Sequence, residues 1–105
     1  MASKRVLHNE SVATSGSAAT VGPIDVSTVD DVLILLTPAT QNLTAVTVEA
    51  DAGNGEWGEY NLTIAPITAG STSRPIEVSG AAQRLRVKLT AAGVGTCRVT
   101  VSGRE

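Results

Sequence analysis

The chain has no phenylalanine, one tryptophan and one tyrosine, so aromatics are 2% of a 105-residue sequence that is 42% hydrophobic. Its core must therefore be built from Val, Leu, Ile and Ala, side chains that favour pleated strands. Cys97 is the single cysteine, which excludes an intrachain disulfide. His8 is the single histidine, so a histidine metal cluster or a Ser-His-Asp system would rest on that one residue; it reads as a surface histidine. No apolar run approaches the roughly 20 residues of a membrane-spanning helix. The start, MASKR, lacks the apolar stretch of a signal peptide. Synthesis in a cytoplasm and no membrane partner are expected. No phosphate-cradling glycine loop, CxxC pair or nucleophile elbow occurs, so the expectation is a protein with no cofactor and no enzymatic activity.

Against these absences stands a strong period of two. In the stretch Ala82 to Gly103, Leu85, Val87 and Leu89 fall on one face and Arg84, Arg86 and Lys88 on the other. Cys97, Val99 and Val101 repeat the pattern after the small-residue loop Ala91 to Gly95, which gives an antiparallel hairpin with one wet face and Cys97 pointing inward. Val32 to Leu36, VLILL, is a continuous apolar run that reads as a strand buried on both faces, ended by Pro38. Leu43 to Asp51 alternates again, Ala52-Gly53-Asn54-Gly55 is a turn, and Trp57 to Ile64 returns as a strand. A further strand from Ala18 to Val26 is interrupted at Gly22-Pro23, which marks an edge or a bulge. Ile76 and Val78 mark a short one.

Seven or eight short strands with turn signals about every ten residues predict an all-β antiparallel sandwich, with jelly-roll or immunoglobulin-like topology. Residues 18–105 form this domain. Residues 1–17, polar and opening on Lys4-Arg5, read as an N-terminal arm in three versions: a short edge strand near Arg5 to His8, an extension that orders on a partner, or a solvated tail. A core of this size gives a thin stability margin, so self-assembly is an expected source of more.

Four groups of residues suggest sites. Asp25, Asp30, Asp31, Glu49, Asp51, Glu56 and Glu59 contain no pair fixed at the separation glycoside cleavage needs. Asp51, Asn54 and Glu56 offer oxygens around a glycine turn, as a calcium loop would, but turn chemistry accounts for them without an ion. Trp57 and Tyr60 are candidate glycan contacts, since an exposed ring can stack on a sugar; on a strand they lie on opposite faces. Lys4, Arg5, Arg84, Arg86, Lys88 and Arg98 are candidate contacts for a protein partner. The formal charge is -2 and no aromatic platform accompanies the cations, so a nucleic-acid partner is not expected.

The phrases SVATSGSAATVGPIDVS, VTVEADAGNGEWGEY, RPIEVSGAAQRLRVKLTAAG and CRVTVSG give the chain after about Val12 a resemblance to small all-β structural proteins of tailed bacteriophages. Among these it resembles capsid decoration, or cement, proteins. The resemblance implies a non-enzymatic virion protein on the capsid surface. It also implies self-association, with a trimer favoured, and the major capsid protein as partner. A glycan-binding or adhesion module of a phage tail or surface protein is the alternative.

Overall fold

The computed structural model describes residues 4–60, 66–79 and 82–104. Eight strands run through them: β1 (Lys4–Thr14), β2 (Ala19–Asp25), β3 (Asp31–Pro38), β4 (Leu43–Asp51), β5 (Trp57–Glu59), β6 (Ile76–Ser79), β7 (Arg84–Ala91) and β8 (Gly95–Arg104). They form two four-stranded antiparallel sheets, β1-β8-β3-β6 and β2-β7-β4-β5. Strand 1 pairs with 8, 2 with 7, 3 with 6 and 4 with 5. This is one long hairpin wrapped around a core, the jelly-roll order, and it decides between the two topologies that strand spacing leaves open.

The core follows from alternation. Val32, Ile34 and Leu36 of β3 and Cys97, Val99 and Val101 of β8 face Leu85, Val87 and Leu89 of β7 and Leu43, Val46 and Val48 of β4, all buried. No aromatic ring is fully buried among the described residues; branched and linear aliphatics fill the layer between the sheets. The VLILL run departs from expectation. Ile34 and Leu36 are inaccessible, whereas Leu33 and Leu35 point to the outer face of the first sheet and are only half-buried. The second sheet, packed face to face on the first, buries Val32, Ile34 and Leu36; no described element of the chain covers Leu33 and Leu35.

Residues 4–14 of the expected arm form the outer strand of the first sheet, paired with β8 along their length, so the edge strand expected near Arg5 to His8 is present and runs on to Thr14. A bulge at Leu7 turns both Leu7 and His8 toward the interior, and Leu7 packs at the margin of the core. The room it needs comes from Gly103. A Cβ there would lie 2.7 Å from Val29 Cγ1 and 3.0 Å from Leu7 Cδ1, so the missing side chain lets the β2–β3 loop and β1 close over one end of the sandwich. In β2 the register also shifts, between Val21 and Ile24. Gly22 has φ 112°, and a Cβ on it would meet the Leu85 carbonyl oxygen at 2.9 Å, so the interruption at Gly22-Pro23 is a glycine-dependent bulge on an edge strand.

Beyond the short β6, the free edge of β3 is completed by a loop. The Ser73 N–H donates to the Leu36 carbonyl at 2.8 Å, and the Leu36 N–H donates to Ser73 Oγ at 3.0 Å. The Gly70 N–H donates to the Pro38 carbonyl at 2.7 Å. The strand expected from Trp57 to Ile64 is β5 followed by Tyr60, whose N–H donates to the Val48 carbonyl at 2.9 Å; its continuation lies outside the described residues.

Candidate functional site

The outer face of the second sheet is an ion-pair ladder. Register sets Asp51 opposite Arg84, Glu49 opposite Arg86 and Thr47 opposite Lys88. Glu49 Oε1 accepts from Arg86 Nε at 2.5 Å and lies 3.4 Å from Lys88 Nζ. Above all the Arg86 hydrogen bond, and then Lys88, hold the Glu49 carboxyl below its ordinary range, against an opposing effect of burial.

Asp51 is inaccessible to solvent although it points outward, because the following turn and the β7 cations close over it. Its Oδ1 accepts from the Gly53 N–H at 2.5 Å and the Gly55 N–H at 3.3 Å, and its Oδ2 accepts from Arg84. The Gly53 hydrogen bond first, then Arg84 and Gly55, lower its pKa in spite of burial. Asn54 Oδ1 accepts from the Glu56 N–H at 3.1 Å. These oxygens are engaged in turn chemistry, and among the described residues no three His, Cys, Asp or Glu side chains gather as metal ligands.

Trp57 completes the ladder. It pairs with Asp51 across the β4–β5 hairpin, and its ring lies under Arg86 and Arg84, with guanidinium carbons 4.2 and 5.4 Å from the ring centroid. Tyr60 packs against the core. The two candidate glycan contacts therefore lie apart, one stacked by arginine and one largely enclosed.

The six candidate cations are not brought together. Arg84, Arg86 and Lys88 share the second sheet with their acidic partners. Arg98 is on the first sheet, where it donates to Asn9 Oδ1 at 2.7 Å. Lys4 begins β1 beside Arg104, and Arg5 donates to Thr28 Oγ1 in the β2–β3 loop. His8 lies in an open cleft of about 300 Å3 between β1 and β2, its Nε2 3.0 Å from Glu10 Oε2 without the alignment of a hydrogen bond. Cys97 is buried in the core and burial raises its pKa, the state of an unreactive thiol.

Two features escape a reading of single strands. The acidic row of β4 and the cationic row of β7 are each visible in the sequence, and only the register shows that they neutralise each other. The outward pair Leu33 and Leu35 is concealed because a run without polar residues carries no period. Val6, 61% exposed, lies on the same outer face. Val94, 84% exposed, is at the tip of the β7–β8 hairpin, at the opposite end of β8.

No protein-family model matches the chain, and no curated protein matches it. A solved structure from a study of Bacillus endospore appendages, described as a novel family of disulfide-linked pili, is similar. The TM-score is 0.50 at 16% sequence identity, over 97% of this chain and 87% of that chain. The likeness is one of fold: a small all-β sandwich.

Proposed function

We propose that the chain is a non-enzymatic structural subunit that associates with copies of itself and coats a larger protein shell, as a capsid decoration protein does on a phage head. One observation carries the reading. The ionisable groups on the wet face of the second sheet pair with one another across β4 and β7 instead of converging on a cleft, so the face is built as a surface. The major capsid protein is the proposed partner and the capsid surface the proposed location; the resemblance in sequence phrases supports both. Co-sedimentation with heads assembled from a capsid protein encoded beside the chain tests it. Saturable binding at a fixed ratio to the capsid protein is expected, and free chain in the supernatant at every ratio would refute it.

A second reading, a subunit of a pilus-like appendage, is favoured by the likeness in fold over nearly the whole chain. Contacts between such subunits would be non-covalent here, since Cys97 is the one cysteine in these residues and is buried. Filaments of the concentrated protein in negative-stain electron microscopy would favour this reading over decoration. The glycan-binding alternative is the weakest of the three, because Arg86 already stacks on the Trp57 ring.

A further inference from the structure

The outer face of the first sheet carries two adjacent rows set by register. Val6, Ser102, Leu33 and Glu77 cross β1, β8, β3 and β6 in one row, and Lys4, Arg104 and Asp31 lie in the next. Leu35 follows Leu33 on the same face, beside Thr100. A cleft of about 340 Å3 lies over both rows, lined by Leu33 and Ser102 and by Lys4, Arg104, Asp31 and Glu77. Charge on this face is graded across the sheet. The cations come from β1 and β8, and the acids come from β3 and β6. Arg104 and Asp31 are 3.7 Å apart, while among the described residues no ion pair involves Lys4 or Glu77.

We propose that this face packs against the same face of a second copy, about a two-fold axis parallel to the strands and lying between β8 and β3. Rotation about that axis lays β1 over the partner's β6 and β8 over the partner's β3. Arg104 then meets the partner's Asp31 in the same row, and Lys4 reaches the partner's Glu77 diagonally, one row along the strand, each contact formed twice. Leu33 and Leu35 of the two copies interdigitate beside the axis. The surface is thus self-complementary in charge as an isologous interface requires, and it covers the half of the VLILL run that the fold leaves open. Four strands about 4.8 Å apart and some seven residues long present roughly 400–500 Å2 per copy. That is the low end for a specific contact, so the pair is reversible and sensitive to salt.

The inference rests on the reading of the chain as a self-associating subunit and adds the face and its partner. Sedimentation equilibrium of the full chain, over micromolar to near-millimolar concentration, tests it. A monomer–dimer equilibrium is expected. Lys4→Glu and Glu77→Lys each lower the association constant about tenfold or more, and the double exchange restores it to within about threefold of the parent. Circular dichroism checks that all four proteins are folded. A parent that stays monomeric, a parent that forms trimers, or a double variant as weak as the single ones would overturn the proposal. Shell binding by a monomeric parent would leave the structural reading standing while removing this interface; a dimer that binds no shell would do the reverse.

Discussion

Placing a methyl group at Gly103 tests how the first strand is held. The Cβ of Gly103→Ala would sit 2.7 and 2.9 Å from the two γ-carbons of Val29 and 3.0 Å from Leu7 Cδ1, well inside ordinary contact. Overpacking of this kind costs about 1–3 kcal/mol. Because the clash is with side chains on a loop and a bulge, which can give, about 2 kcal/mol is the working figure. Unfolding entropy near 2.1 cal/mol/K per residue makes that a fall of roughly 9 °C in Tm for a chain of this length. Val29→Ala removes the closest atoms, so it relieves the clash. In the double variant, Gly103→Ala adds less than about 0.7 kcal/mol to the cost of Val29→Ala alone, a coupling that marks residues in direct contact. Urea unfolding of the four proteins measures the cycle. Strictly additive costs would refute the corner, and with it the docking of Leu7 that makes residues 4–14 part of the sandwich.

Acid should unfold the protein through its ladder. Asp25, Glu49 and Asp51 all have lowered pKa values, so the unfolded chain binds more protons and stability declines as pH falls. Stability is complete above the ordinary values of 3.8 for aspartate and 4.5 for glutamate and is lost below them, with a shallower loss in Glu49→Gln; denaturant midpoints from pH 6 to pH 2 measure this. Gly22→Ala meets both a positive φ and the Leu85 carbonyl, and is expected to lower stability by more than about 1 kcal/mol, read from chemical denaturation. Leu89→Ala, at a fully buried position, should cost about 2–5 kcal/mol by the same assay. Cys97 should resist thiol reagents in the native protein and react within the unfolding transition, followed by absorbance.

The sandwich was legible wherever polar and apolar residues alternate. Arg84 to Leu89 and Cys97 to Val101 announce their inward faces, and Gly22-Pro23 announces a bulged edge. Legibility ended where two strands had to be matched. Glu49 and Asp51 look like candidate catalytic or calcium-binding acids in their own strand, and Arg84 and Arg86 look like a contact face in theirs. Pairing β4 with β7 turns both rows into one ladder. Residues 4–14 have few large apolar side chains, so their composition suggests an arm; ten backbone pairings with β8 and the inward turn at Leu7 hold them in the sheet. The VLILL run was ambiguous for the opposite reason. A strand without polar residues reads as buried on both faces, and the fold of one copy covers only Val32, Ile34 and Leu36.

We propose that this jelly roll is a structural subunit that meets a second copy of itself through the first sheet, the second sheet being occupied with its own ladder. Sedimentation equilibrium of the parent chain at low and at high salt measures it most directly. The account predicts a dimer that grows with concentration and weakens as salt rises. A monomer at every concentration, or an oligomer indifferent to salt and to charge exchange at Lys4 and Glu77, would contradict it.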